Sequence, residues 1–221
     1  MRKVLITGGS RGIGRATAEK FKECGYEVVA PTRADLDLTS SDSIESYIKN
    51  HAGEYFDVII NNAGCNDVHE ITDVTDEELD NMMSVNLIAP IKILRGFVGA
   101  MKQKKYGRIV NIGSIWAVVS KGGRCVYSAT KNGIHGVTNT LAVELAPYNI
   151  LVNTVCPGFT LTELTSKNNT PEQIAEISKN IPMGRMAQPQ EMAEVIYFLC
   201  SEQNTYMTGQ KITVDGGYAE K

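Results

Sequence analysis

Six short runs of aliphatic and β-branched residues recur along the chain: Lys3–Ile6, Glu27–Pro31, Asp57–Ile60, Arg108–Ile112, Ile150–Val155 and Lys211–Val214. Near-continuous apolar runs of this length are the pattern of strands covered on both faces, as in parallel sheets. Between them the apolar positions repeat every three to four residues, which predicts amphipathic helices. One starts at Ile13, Ala16, Thr17 and Phe21; a second covers Ser41–Asn50, opened by Thr39 with Asp42 as a capping box. A long one runs from the Thr75–Glu78 capping box to about Lys104, with Met82, Met83, Leu87, Ile91 and Leu94 on one face, the amide of Asn86 within it, and Pro90 at a predicted kink. Further helices are expected over Val126–Glu144, from Thr170-Pro171, and over Pro189–Cys200.

Strands alternating with helices predict an α/β fold, a parallel sheet of about six strands with helices on both faces. Only a few residues separate the second strand from Asp37-Leu38-Thr39 and the next helix. A parallel crossover needs about a dozen residues or more, so the sheet is expected to be shortened by one unit after the second strand. No repeat, low-complexity tract or linker interrupts this order. Residues 1–221 therefore read as a single domain, with a polar, lid-like segment around 159–183.

Composition removes several function classes. Hydrophobic residues are 43% of 221, enough for a sizeable core, and a net charge of −3 gives no electrostatic case for nucleic acid or an anionic membrane. No run of about 18 apolar residues predicts a membrane span, and the first residues lead directly into a strand rather than a signal peptide. Five scattered cysteines (Cys24, Cys65, Cys125, Cys156, Cys200) and three histidines (His51, His69, His135) show neither Cys-x-x-Cys nor metal-ligand spacing. Free thiols in a reducing cytoplasm, and no metal site, are the expectation.

The candidate chemistry sits at strand ends. Thr7-Gly8-Gly9-Ser10-Arg11-Gly12-Ile13-Gly14 follows the first strand and opens a helix. Such a turn lets backbone N–H groups approach a pyrophosphate at a helix N-terminus, the requirement for dinucleotide binding. After the second strand, where an acidic residue would accept from the adenosine 2′-hydroxyl of NAD, the chain has Thr32-Arg33, and Arg11 lies in the glycine turn. Two guanidiniums suit the 2′-phosphate of NADP(H), while Asp35 and Asp37 nearby keep NAD(H) open. Asp37-Leu38 is expected to close over the adenine. Asn61-Asn62-Ala63-Gly64 supplies small residues and amides where backbone must pass close to a ligand. The fourth strand delivers the Ser114 hydroxyl, and Tyr127 and Lys131 follow at i and i+4 on a helix. Positions so spaced share a face, and an ammonium beside a phenol pulls its pKa down toward a range useful for proton transfer. Ser114, Tyr127 and Lys131 together predict a proton-transfer site for a carbonyl or alcohol.

With these stretches in order, the chain resembles the short-chain dehydrogenase/reductase family over essentially its whole length. Thr7-Gly8-x-x-x-Gly12-x-Gly14 resembles the family's cofactor loop, Asn61-Asn62-Ala63-Gly64 its strand-four motif, and Pro157-Gly158 with Thr160 and Thr162 the segment that holds the nicotinamide carboxamide. Asn86, Ser114, Tyr127 and Lys131 match the four catalytic positions. The resemblance implies a three-layer Rossmann fold and hydride exchange between a nicotinamide and a small-molecule carbonyl substrate. It gives Tyr127 the role of acid or base, Ser114 that of holding the substrate oxygen, Lys131 that of depressing the Tyr127 pKa and binding the nicotinamide ribose, and Asn86 that of positioning a water that links Lys131 to solvent. It also implies a homo-oligomer, tetramer or dimer, built through the two long helices, where apolar residues of Met82–Leu94 and Val137–Leu145 exceed what one sheet face needs.

The chain departs from the family pattern at the shortened region after the second strand and at His135, which is a packing or subunit-contact histidine or an extra titrating group. Cys65 and Cys156 read first as small buried residues. Within the family, 3-oxoacyl-carrier-protein reductases are resembled through Gly9-Ser10-Arg11-Gly12 and Val214-Asp215-Gly216-Gly217, and the short region after the second strand suggests reductases of keto-sugars or nucleotide-sugars. A carrier-protein partner calls for a basic patch, and Lys102, Lys104, Lys105 and Arg108 cluster in sequence. A cofactor-sensing protein without catalysis is the other class considered, and the presence of all four catalytic positions argues against it.

Overall fold

The computed structural model describes residues 1–220. Lys221, the last residue of the expected domain, lies outside the described residues, as do the side chains of Leu164, Lys167 and Asn168 in the expected lid. Six strands, β1 (Lys3–Ile6), β2 (Glu27–Val29), β3 (Val58–Asn61), β4 (Gly107–Ile112), β5 (Ile150–Pro157) and β6 (Lys211–Val214), form one parallel sheet in the order β2-β1-β3-β4-β5-β6. Leu5 pairs with Val29 on one side and Ile59 on the other, and Val110 lies between Ile60 and Asn153.

Successive residues of each strand face opposite sides of a sheet, and the chain uses both. Leu5, Ile59, Ile109 and Val152 point into one core with Ile44 and Tyr47 of α2 (Ser41–Asn50), Ile93 and Phe97 of α4 (Ala89–Lys104), and Leu145 of α5 (Cys125–Leu145). Val4, Ile6, Val58, Ile60, Val110 and Val155 point into the other, against Phe21 of α1 (Gly12–Glu23) and Met192, Ile196 and Leu199 of α8 (Pro189–Cys200). This is the expected three-layer architecture.

No helix-and-strand unit lies between β2 and α2. Residues 32–40 make a turn in which Leu36 N–H bonds the Thr32 carbonyl, and the Leu36 side chain is buried in the first core. Several boundaries differ from expectation. β2 stops at Val29, β5 extends to Pro157, and α2 is capped by the Ser40 hydroxyl, which accepts from Ser43 N–H. Thr39 instead bonds the Asp37 carboxylate through its N–H and hydroxyl. The expected Thr75–Glu78 capping box is present at α3 (Asp76–Met83).

The expected long helix is continuous to Lys104, but Ser84–Ile88 between α3 and α4 is a π-turn. A proline at position 90 would drive its ring into the carbonyl of position 86 in a regular helix, and widening the turn by one residue makes room for it. Asp76–Lys104 has a mean hydropathy of 1.3 over 18 residues, long and apolar enough to cross a membrane by length and composition. Its buried face packs on the sheet through Ile93, Leu94, Phe97 and Met101. After β5 the expected lid holds two helices, the unanticipated α6 (Glu163–Asn168) and α7 (Pro171–Lys179), the latter with a Thr170–Gln173 capping box.

Candidate active site

The C-terminal ends of β1, β3, β4 and β5 open on one cleft of about 1060 Å³. That edge is where an open α/β sheet binds ligands. Its floor is the glycine turn between β1 and α1. Gly8 has φ +67, and a Cβ there would meet Ala63 Cα at 2.9 Å; a Cβ on Gly14 would meet the Gly8 carbonyl oxygen at 2.1 Å. Glycine is therefore required where the turn folds back on its own helix and on the end of β3. Asn62 locks this junction, donating to the carbonyls of Thr7 and Gly8, each at 3.0 Å, while the Thr7 hydroxyl accepts from the N–H groups of Asn62 and Ala63. The Thr7 tie forms only because β1 and β3 are neighbours in the sheet.

Gly8, Ser10, Arg11, Gly12, Ile13 and Gly14 all line the cleft, with Asn62, Ala63 and Gly64 beside them. No acidic residue occupies the first turn of α1, so nothing there competes with a phosphate for the positive helix end. Arg33, Asp37 and Leu38 line the far end. The Arg33 side chain is 79% exposed and its Nε lies 3.4 Å from Asp37 Oδ2. Hydrogen bonds from Thr39, with Arg33 nearby, hold the Asp37 carboxyl below its usual range. Pro157, Gly158, Thr160 and Thr162 form the opposite wall. Thr162 caps α6, and its methyl group would lie 3.2 Å from a Cβ on Gly12. Arg15 of α1 pairs with Glu163 at 2.8 Å, tying the start of the lid to the cofactor turn. The cleft, its glycine floor and its free helix terminus fit a dinucleotide.

Ser114, Tyr127 and Lys131 converge at the centre. Ser114 is buried at the end of β4, and its Oγ accepts from Trp116 N–H at 3.2 Å, which leaves its own proton to donate into the cleft. Lys131 is buried; its Nζ donates to the Ile112 carbonyl at 2.7 Å and lies 5.6 Å from the centroid of the Tyr127 ring. Burial brings the Lys131 ammonium from 10.5 down to about 8. The expected depression of the Tyr127 pKa is not what the structure gives: burial pushes the phenol up, opposed by the Ser114 hydroxyl as hydrogen-bond partner and by the charge of Arg124. Lys131 does share the Tyr127 face, but one of its N–H groups is given to the Ile112 carbonyl and burial disfavours its charged form.

Asn86 lies behind the cleft wall in the π-turn. Its Oδ1 accepts from Cys65 N–H and its Nδ2 donates to the Cys65 carbonyl, both at 2.9 Å, and to Thr130 Oγ1 at 3.2 Å; Thr130 in turn donates to the Tyr127 carbonyl. The amide thus fixes the loop after β3 against the Tyr127 helix. Asn61, the first residue of the Asn-Asn motif, points away and donates to Asn111 Oδ1 inside the sheet. His135 is half-buried with Nδ1 3.3 Å from Thr154 Oγ1, and burial lowers its pKa; it packs behind β5. Burial raises the thiols of Cys65 and Cys156, the behaviour of inert buried cysteines. The Lys102–Arg108 cluster sits at the end of α4 and the start of β4, the opposite edge of the sheet from the cleft, and Arg108 is buried there. Among the described residues no cluster suited to a metal ion occurs.

Sequence reasoning missed the aromatic and cationic end of the cleft. Trp116, Phe159 and Tyr218 stack edge-to-face, with centroids 5.2 to 6.3 Å apart. Lys121 and Arg124 each lie 5.8 Å from the Trp116 ring. Arg124 stands three residues before Tyr127, a spacing that would have pointed to it.

The family described as Enoyl-(Acyl carrier protein) reductase matches residues 29–219. The chain is 32% identical to 3-oxoacyl-(acyl-carrier-protein) reductase FabG of Vibrio cholerae, over 96% of this chain and 95% of that one. It superposes with a TM-score of 0.93 and 31% identity on a candidate NAD(P)-dependent gluconate 5-dehydrogenase from Beutenbergia cavernae with NADP bound, covering 100% of this chain and 97% of that one. The TM-score is also 0.93, at 27% identity and full coverage of both chains, for 4-hydroxyisoleucine dehydrogenase complexed with NADH.

Proposed function

The chain belongs to the short-chain dehydrogenase/reductase family and is an NAD(P)-dependent oxidoreductase of CH–OH and keto groups; within that class we propose that it uses NADP(H) and reduces a 3-oxoacyl thioester. The observation that carries the reaction is the convergence of Ser114, Tyr127 and Lys131 on the cleft that begins at the Gly8–Gly14 turn. The glycine turn with Asn62, Ala63 and Gly64 would hold the dinucleotide, and Pro157, Gly158, Thr160 and Thr162 its nicotinamide end. When bound, the cofactor supplies or accepts the hydride.

In reduction Ser114 Oγ donates a hydrogen bond to the substrate carbonyl oxygen, and Tyr127 delivers its phenolic proton to the same oxygen; oxidation runs the transfer in reverse. A phenol whose pKa burial keeps high is protonated at neutral pH, which suits the acid role in reduction. Lys131 would hold the ribose hydroxyls and place a positive charge behind the phenol. Arg11 and Arg33 at the far end support NADP(H) over NAD(H).

A second substrate reading, a keto-sugar or nucleotide-sugar, is favoured by the cationic, aromatic wall at Trp116, Lys121 and Arg124. Apolar side chains left exposed on the helical layer, Ile88, Ile91 and Val143, support a homo-oligomer, and five free cysteines suit the cytoplasm. The deciding experiment is NADPH oxidation on a short 3-oxoacyl thioester and on a keto-sugar, beside Tyr127→Phe. Turnover is expected to fall by at least about a thousandfold in the variant with cofactor affinity retained, in line with loss of a proton donor and its geometry; wild-type turnover in Tyr127→Phe would sink the mechanism.

A further inference from the structure

The substrate end of the cleft carries a guanidinium with nothing to bind. Arg124 is the N-cap residue of α5, and its side chain caps no backbone N–H. Its Nε and Nη1 are buried and have no hydrogen-bond partner. Among the described residues neither Arg124 nor Lys121 takes part in an ion pair. Arg108, which is buried, differs: its Nε also lacks a partner, but its terminal nitrogens meet the carbonyls of Gly107, Asn149 and Asn204. A desolvated cation without a hydrogen-bond partner costs free energy, and burial disfavours the charged form of Arg124, lowering its pKa. Both cations lie beside Trp116, and all three line the cleft with Ser114, Tyr127 and Phe159.

We propose that Arg124, supported by Lys121 and the Trp116 ring, is a subsite for an anionic group of the substrate, so that the preferred ketone or alcohol carries a carboxylate or phosphate a few bonds from the reacting carbon. This rests on the reductase reading of Tyr127 alone and, of the two substrates weighed for that reading, takes the second in place of the thioester. Arg124 and Tyr127 line the same cleft and the Arg124 charge acts on the phenol, which keeps a bound anion close to the carbonyl that Tyr127 protonates. A guanidinium fork matches a carboxylate or phosphate with two parallel hydrogen bonds. The neutral thioester of a 3-oxoacyl group offers it no charge there, so Arg124 favours the sugar side of the two substrate readings, in an anionic form.

Trp116 is the chain's one tryptophan and lies under both cations, so its fluorescence reads this subsite without turnover. The full-length protein is titrated with 3-oxobutanoate, with dihydroxyacetone phosphate and with neutral methyl 3-oxobutanoate. A saturable change with an anionic probe is expected, weakened at least about tenfold in Arg124→Ala and partly restored in Arg124→Lys; the stronger of the two anionic probes identifies carboxylate or phosphate as the group. No saturable change in the wild type, or the same affinity in Arg124→Ala, would overturn the subsite. In steady state the ratio of kcat/KM for 3-oxobutanoate over its methyl ester is expected to fall at least about tenfold in Arg124→Ala, through KM; a wild type that prefers the ester would overturn it. Binding that depends on Arg124 while no ketone is reduced would refute the reductase reading and leave the subsite standing. Reduction of the ester and acid alike, with no dependence on Arg124, would do the reverse.

Discussion

In the proposed reaction Lys131 and Tyr127 form the central pair, and burial shifts their pKa values in opposite directions. The ammonium has its pKa brought to about 8 by burial, so it is charged below that pH and increasingly neutral above it. If it holds the ribose hydroxyls as a donor, the dissociation constant of NADPH for the free protein should rise as pH passes upward through about 8, and the step should vanish in Lys131→Met; a flat profile from pH 6.5 to 9.5 would remove Lys131 from cofactor binding. The sign for stability is opposite. Between about 8 and 10.5 the unfolded chain holds a proton that the folded chain has released, so stability gains from rising pH in that window. Arg33 is a weaker element, mostly exposed and shared with Asp37. Arg33→Ala should still weaken NADPH at least about fivefold more than NADH in a binding titration, because a 2′-phosphate outbids a single carboxylate at 3.4 Å. Equal losses for both cofactors would mean that Arg33 meets no 2′-phosphate.

At the scale of elements, the site is a set of strand ends held in register by polar ties. The glycine turn depends on the closest contact in it, the 2.1 Å between a Cβ at position 14 and the Gly8 carbonyl. Gly14→Ala must push α1 away from β1. It should lower stability by about 1–3 kcal/mol in urea unfolding and NADPH affinity more than tenfold; unchanged affinity would show that the turn does not carry the pyrophosphate. The turn and its glycines are legible in sequence because glycine and a strand–helix context report backbone geometry directly. The π-turn at Ser84–Ile88 is not, since Pro90 predicts a disturbance but not the side of the helix on which it is absorbed. Nor is α6, whose six residues are too short for periodicity to register.

For the whole molecule both faces of the sheet are covered, yet Val143 on α5 is 80% exposed, near the Lys102 end of α4, and Ile88 and Ile91 are exposed at the other end of α4. If these apolar residues seat a second copy, sedimentation should give a mass that is a multiple of the single chain, and Val143→Glu should shift it toward the single chain with the circular dichroism spectrum kept. A single-chain mass in the wild type at micromolar concentration would refute the assembly.

The six strands, the shortened region after β2 and the glycine turn follow from the sequence alone, because alternation, run length and glycine placement are local properties that the backbone must obey. The Ser114–Tyr127–Lys131 constellation was legible for the same reason, through helix spacing and a strand end. What only the tertiary structure decided is how those groups are charged and what faces them. The raised Tyr127 phenol follows from burial by parts of the chain far apart in sequence. The Asn86 amide is committed to Cys65 because the π-turn brings it there. Arg124 lacks a partner because β4, α5 and the segment after β5 meet around it, and desolvation of this kind has no signature in a linear pattern.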